Sequence, residues 1–217
     1  MEPLTPKLIL VPTDFSAPAA HALRYAAALG ERFRAHLLVI YVDAFVPPGD
    51  LEREQLQTFA ETHIPATVPF DIRVLTGDPA TTIVSQVGET GADLIVMGTH
   101  GRTGLQRLLF GSVTEAVIRQ APVPVIAVHQ STPADAPMQV IAGERLTPAG
   151  RAAVAYAGVL ADADHARYVE ILNRDDMVQT ARKERVDLIA LGFGDEHDQQ
   201  VVQHSNCAVL TVNRFAS

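Results

Sequence analysis

Three glycines at intervals of 3 and 10 residues follow an apolar segment near the middle of the sequence. The pattern is Gly98-x2-Gly101-x9-Gly111-Ser112, and a helix is expected to begin between Gly111 and Thr114. Glycine has no Cβ, so main-chain N–H groups at such positions can approach phosphate oxygens closely. The start of a helix supplies further unpaired N–H donors. The chemistry that this pattern favours is the binding of a polyphosphate.

Four side chains near these glycines could contribute to such a site. The hydroxyls of Ser112 and Thr114 are potential donors, and the planar guanidinium of Arg102 can neutralise phosphate. His100 could act as a base toward a water molecule, or it could pack in the loop, and no second residue is visible to orient it. The sequence around the loop has no Gly-x4-Gly-Lys-Ser/Thr motif and no lysine, which favours binding over phosphoryl transfer.

The segments around this loop alternate between strand and helix patterns. Short apolar runs at 7–12, 36–42, 70–75, 93–97 and 123–128 predict strands, with helical segments between them. Because these runs are apolar without polar alternation, we expect an α/β fold with a parallel sheet that is covered on both faces.

Ligands of doubly wound sheets lie beyond the carboxyl ends of the strands, where the winding direction reverses. In this chain the informative residues therefore follow the first and fourth strands. Pro12, Thr13 and Asp14 follow the first strand and are expected to lie beside the glycine loop. Ser16, which precedes Ala-Pro, is interpreted as a helix N-cap rather than a nucleophile.

A proline-rich segment at 129–137 predicts a linker, and a shorter second unit follows it. The segment ADLIVMG at 92–98 matches VDLIALG at 186–192, which indicates internal duplication. The second unit omits one helix and strand pair. We therefore expect two domains, 1–130 and 138–217, with two Rossmann-like parallel sheets of which the second is shortened.

Residues 1–130 resemble the universal stress proteins, and specifically their nucleotide-binding class. The matching segments are VPTDFS at 11–16, YVDA at 41–44 and VMGTHGRTGLQRLLFGSVTEAVIRQAPVPVIAV at 96–128. The resemblance implies a fold like that of the adenine nucleotide alpha hydrolases and a regulatory, ATP-binding role in the stress response. The alternatives that we keep are a nucleotide-free interaction scaffold, for an unknown protein partner, and a slow ATP hydrolase.

The resemblance also implies roles for individual residues. Around the adenine and ribose it implies Pro12, Asp14 and Val42, with Met97 and Gly98 beside them. For the phosphates of ATP, ADP or AMP it implies Gly101, Gly111, Ser112, Val113 and Thr114, normally with Mg²⁺ or Mn²⁺ held by the phosphates. Two such domains commonly pair through their last strands, so 123–128 would meet 208–212 within the chain, and a homodimer is also compatible.

The second unit lacks the corresponding residues. Ala-Gly-Glu-Arg at 142–145 replaces the Pro-Thr-Asp turn, and GFGDEHD at 192–198 replaces the glycine loop. Asp195, Glu196 and Asp198 would repel phosphate, so we predict no nucleotide there. We interpret this acidic cluster as solvated surface rather than as a metal site.

The composition argues against several other classes of protein. Lys and Arg number 17 against 25 Asp and Glu, for a net charge of −8, which disfavours nucleic acid as a partner. The sequence has no run of 18 apolar residues and no signal-peptide pattern at its start, so a cytoplasmic protein is expected. Cys207, the single cysteine, lies in an apolar run and is expected to be buried.

Overall fold

The computed structural model describes residues 5–45, 49–99, 111–134, 138–161 and 166–213. Strands and helices alternate along these ranges as the sequence predicts. The strands are β1 (Leu8–Thr13), β2 (His36–Asp43), β3 (Phe70–Thr76), β4 (Leu94–Gly98), β5 (Val125–Val128), β6 (Val140–Gly143), β7 (Arg167–Glu170), β8 (Leu188–Phe193) and β9 (Ala208–Asn213). The helices are α1 (Ala17–Phe33), α2 (Asp50–His63), α3 (Pro79–Thr90), α4 (Ser112–Gln120), α5 (Pro148–Leu160), α6 (Met177–Glu184) and α7 (Glu196–His204), with a 3₁₀ turn at Arg174–Asp176.

The strands form one continuous sheet in the order β3-β2-β1-β4-β5-β9-β8-β6-β7. Pairing is parallel from β3 to β5 and from β9 to β7, and antiparallel between β5 and β9. The α/β prediction is confirmed, and the two predicted parallel sheets are the two halves of this one sheet. We call β1–β5 with their helices the first half, and β6–β9 with their helices the second half.

The two halves meet where β5 pairs with β9, as the resemblance implies. Ile126 lies opposite Leu210, and the hydroxyl of Thr211 donates to the main-chain oxygen of Val125 at 3.2 Å. All four residues are buried. Each half thus covers a strand edge that would otherwise expose apolar side chains and unpaired main-chain groups.

The two matching segments, at 92–98 and 186–192, have a structural explanation. The carboxylate of Asp93 accepts the N–H of Lys7 at 2.9 Å, and that of Asp187 accepts the N–H groups of Gln139 and Val140, both at 2.9 Å. In each half, the aspartate before one strand therefore fastens the start of the neighbouring strand. Because the same bond recurs at equivalent positions, it supports the duplication inferred from the sequence.

Helices cover both faces of the sheet and form two apolar layers. One layer contains side chains of α1, α2 and α5, and the other contains side chains of α3, α4, α6 and α7. Ser16 caps α1 by accepting the N–H of Ala19 at 3.3 Å, and Cys207 is buried, both as predicted. Among the described residues, the helices are too short or too polar to span a bilayer.

Candidate functional site

A cavity of about 350 Å³ opens at the carboxyl ends of β1, β2 and β4. It lies between β1 and β4, where the strand order of the first half reverses, which is the usual ligand position in such sheets. Small-molecule sites measure roughly 300–1,000 Å³. The lining residues are Pro12, Thr13, Asp14, Ala19, Ile40, Tyr41, Val42, Pro79, Ile83, Met97, Gly98, Gly111, Ser112, Val113 and Thr114.

This lining contains the predicted site residues that the structure describes. His100, Gly101 and Arg102 lie outside the described residues, as does the apolar stretch at 105–110. The sequence analysis missed Ala19, Ile40, Tyr41, Pro79 and Ile83. One signal could have found Ala19, since α1 follows β1, which lies at the reversal point, and its first turn must face that point.

The first turn of α4 forms the polar wall of the cavity. Its N-cap is Gly111, with φ −61° and ψ 127°, and no side chain caps the helix, whereas α1, α3, α5 and α7 each have a side-chain cap. The N–H groups of Ser112, Val113 and Thr114 have no acceptor four residues earlier within the helix. The partial positive charge of a helix start favours an anion at this wall.

Two details of the predicted phosphate site need correction. The hydroxyl of Thr114 was expected to donate to phosphate, but Thr114 is buried and its hydroxyl donates to the main-chain oxygen of Gly98 at 2.9 Å. The N–H of Gly111 likewise donates to the main-chain oxygen of Thr99 at 2.9 Å. These bonds connect the start of α4 to the end of β4. Among the described residues of this wall, the donors that remain are the amides of the first turn and the Ser112 hydroxyl.

A strained turn after β1 holds Asp14 at the rim of the cavity. The hydroxyl of Thr13 accepts the N–H of Phe15 at 3.0 Å, and Asp14 Oδ1 accepts the N–H two residues further on at 3.0 Å. Phe15 has φ 64°, a conformation that is costly for a bulky residue. Its ring contacts Tyr41 at 4.8 Å and Phe59 at 5.4 Å, measured between ring centroids, and this packing holds the turn.

Several other lining residues of the cavity are apolar. Ile40 and Val42 come from β2, Met97 from β4, and Pro79 and Ile83 from α3. The cavity therefore combines an apolar slot with a wall of main-chain donors, and it suits a ligand with a flat, weakly polar ring at one end and an anion at the other.

The equivalent place in the second half is filled by the chain itself. Glu144 follows β6 as Asp14 follows β1, and its fully buried carboxylate accepts the N–H groups of Leu146 at 2.7 Å and Thr147 at 3.3 Å. A Cβ built on Gly192 would lie 2.5 Å from the main-chain nitrogen of Gly150, which shows how closely α5 approaches the end of β8. The start of α7, which corresponds to the start of α4, is capped by a carboxylate as well, because Asp195 accepts the N–H of Asp198 at 3.0 Å.

The acidic cluster after β8 is solvated surface only in part, because Glu196 is exposed as expected but Asp198 is not. Asp198 is fully buried, accepts the N–H groups of Gly194 at 2.8 Å and Asp195 at 3.1 Å, and forms an ion pair with Arg174. The prediction was wrong for Asp198 because this residue closes a capping box at the start of α7. Among the described residues, no group of three or more His, Cys, Asp or Glu side chains is arranged to hold a metal ion.

Comparison with known proteins identifies the family. The model of the universal stress protein family matches residues 6–129, more than half of the chain. The chain belongs to the universal stress protein family. A universal stress protein of Methanocaldococcus jannaschii is 36% identical over 138 residues, covering 56% of this chain and 81% of the relative. One from Thermus aquaticus is 32% identical over 139 residues, covering 56% of this chain and 98% of the relative.

Solved universal stress proteins resemble both parts of the sheet. One from Archaeoglobus fulgidus has a TM-score of 0.70 and 17% identity, covering 97% of this chain and 100% of its own, and at that identity the likeness shows the fold alone. A universal stress protein in complex with cAMP has a TM-score of 0.50 and 25% identity, covering 58% of this chain and 98% of its own.

Proposed function

We propose that the first half of this universal stress protein binds an adenine nucleotide such as ATP, and that the chain uses this binding for regulation in the stress response. The observation that carries the proposal is the uncapped start of α4, which opens into a cavity with several apolar lining residues. The phosphates would bind the N–H groups of Ser112, Val113 and Thr114. The base would enter the slot between Val42 and Met97.

The chemistry of the wall fits phosphate better than it fits other groups. Main-chain N–H groups at a helix start bind anions, and hydrogen bonds to a charged acceptor are about twice as strong as neutral ones. A divalent ion, Mg²⁺ or Mn²⁺, would neutralise the phosphates and be held by their oxygens. A family relative in complex with cAMP supports a nucleotide as the ligand and makes cAMP one of the ligands to be compared.

We propose that the second half binds no nucleotide. The buried Glu144 carboxylate lies in the turn after β6, as Asp14 lies after β1, and would repel a phosphate at these strand ends. The start of α7, which follows β8 as α4 follows β4, is capped by the carboxylate of Asp195, which accepts the N–H of Asp198 at 3.0 Å. One nucleotide per chain is therefore the expected stoichiometry, and isothermal titration calorimetry with ATP would measure it directly.

The sharpest test removes one amide of the proposed phosphate wall without disturbing the helix. Ser112 is the first residue of α4, a position where proline is favoured, and Gly111 has the extended conformation that a residue before proline adopts. Ser112→Pro deletes both the N–H and the hydroxyl, and Ser112→Ala deletes the hydroxyl alone. The loss of a charge-assisted hydrogen bond costs about 1.5–3 kcal/mol, so Ser112→Pro should weaken ATP binding about 10- to 150-fold relative to Ser112→Ala.

Binding of ATP, ADP, AMP and cAMP should be measured by calorimetry with and without Mg²⁺. Equal ATP affinities of Ser112→Pro and Ser112→Ala would contradict the phosphate wall, and a wild-type protein that binds none of these nucleotides would contradict the proposed function. Single-turnover release of phosphate distinguishes binding from slow hydrolysis, and we expect none.

A further inference from the structure

A ring of three side chains joins α4 of the first half to α7 of the second half. Gln199 Nε2 donates to Glu115 Oε2 at 2.9 Å, and Arg119 Nε donates to Glu115 Oε1 at 3.1 Å. Arg119 Nη2 completes the ring by donating to Gln199 Oε1 at 3.2 Å. Both carboxylate oxygens of Glu115 are therefore bound, one of them by a residue that lies 84 positions away in the sequence.

The second half also contacts the far end of α4. The side-chain amide of Asn213, in β9, donates to the main-chain oxygen of Arg119 in the last turn of the helix. The guanidinium carbon of Arg119 lies 5.4 Å from the centroid of the Phe193 ring, which comes from β8. The second half thus holds α4 in its first turn through Gln199 and in its last turn through Asn213.

The position of Glu115 creates an electrostatic problem for a phosphate site. Glu115 lies in the first turn of α4, directly after the N–H groups of Ser112, Val113 and Thr114. A free carboxylate there would repel phosphate and would itself compete for the positive end of the helix. In the ring, this carboxylate accepts a hydrogen bond from Gln199 of α7 and forms an ion pair with the guanidinium of Arg119.

We propose that Gln199 is a positioning residue of the nucleotide site, which acts through Glu115 by keeping the carboxylate away from the phosphates. The inference rests on the proposed function and goes beyond it, because it makes the second half a working part of the first-half site. Coupling between two sites is reciprocal, so a bound nucleotide stabilises the contact between α4 and α7 by the same factor. The nucleotide state of the first half is then communicated to the second half.

The first experiment compares Gln199→Ala with Gln200→Ala. Gln200 is the next residue of α7 and is exposed, so its variant is a matched control for loss of a glutamine from this helix. We expect Gln199→Ala to weaken ATP binding about 5-fold or more, in the usual range of couplings between sites. We expect about a 2-fold loss or less for AMP and none for adenosine, because the repulsion from Glu115 grows with the charge of the phosphate chain.

The second experiment asks whether Gln199 acts through the charge of Glu115. Glu115→Gln removes that charge, so ATP should bind it at least as tightly as it binds the wild type. Adding Gln199→Ala to Glu115→Gln should then have no further effect on ATP affinity, which is a double-mutant cycle with a predicted coupling. Free energies of unfolding of all variants, from urea titrations, show whether any change in affinity follows a loss of stability.

The outcomes separate the two proposals. A wild-type protein that binds ATP, with Gln199→Ala binding it equally well, overturns this inference and leaves the proposed function standing. Equal losses for ATP and adenosine, or a Gln199→Ala effect that persists in the Glu115→Gln background, also overturn it. A wild-type protein that binds no adenine nucleotide overturns the proposed function and this inference with it.

Discussion

Gly98 occupies a position where the tertiary structure leaves no room for a side chain. A Cβ built there would lie 2.9 Å from the main-chain oxygen of Pro18 and 3.0 Å from its carbonyl carbon. Ordinary contacts begin near 3.4 Å, so Gly98→Ala requires the start of α1 to move away by a few tenths of an ångström. The obstacle is main chain within a capped helix, and it cannot rotate aside as a flexible side chain would.

The magnitude follows from this clash. Forcing an additional methyl into a packed position costs about 1–3 kcal/mol, and for a chain of this size 1 kcal/mol changes Tm by about 2–4 °C. We therefore expect Gly98→Ala to lower Tm by roughly 2–12 °C. It should also weaken nucleotide binding, because Gly98 lines the cavity and its main-chain oxygen accepts the Thr114 hydroxyl that fastens α4.

Gly88 provides the matched control for this prediction. It lies in α3, is exposed, and has no atom within 4 Å of a built Cβ. Gly88→Ala should therefore raise stability by about 0.5–1 kcal/mol, since alanine favours the helix. Urea titrations followed by circular dichroism measure both variants. The reasoning is refuted if Gly98→Ala is as stable as the wild type, or if Gly88→Ala loses as much stability as Gly98→Ala.

Three further predictions concern stability and reactivity. The hydroxyls of Tyr25 and Tyr156 are buried without a hydrogen-bond partner among the described residues, so Tyr→Phe at either position should raise the free energy of unfolding by up to about 1 kcal/mol, and a loss of that size in urea titrations would contradict this. Burial raises the pKa of the Cys207 thiol from 9.0 to about 12, so thiol reagents at pH 8 should modify only unfolded protein, and stability should fall as pH rises from 9 toward 12. Arg185 and Gly91 end helices with φ of 52° and 72°. Arg185→Gly should therefore raise the free energy of unfolding by about 1 kcal/mol, and Gly91→Ala should lower it by a similar amount. Changes of the same sign in the two variants would count against backbone strain as the cause.

The family resemblance implied the pairing of the two last strands. The sequence by itself predicted the alternation of strands and helices and the cap at Ser16, and it favoured a ligand where the strand order reverses. These features depend on local pattern or on general rules of topology. Apolar runs determine which segments are strands, and the reversal of strand order determines which strand ends face each other. The glycine spacing led to the start of α4 for the same reason, since a helix start offers donors whatever surrounds it.

Only the tertiary structure decided which atoms those donors and carboxylates meet. The hydroxyl of Thr114 bonds 16 positions back to Gly98 instead of facing the cavity, and Asp198 is buried against Arg174 instead of lying in solvent. Glu144 binds main-chain N–H groups of the turn before α5, and Gln199 bonds to Glu115 across the junction. Hydrogen bonds and ion pairs need atoms within about 3 Å. The folded chain brings such atoms together from distant positions, and no local pattern in the sequence encodes that distance.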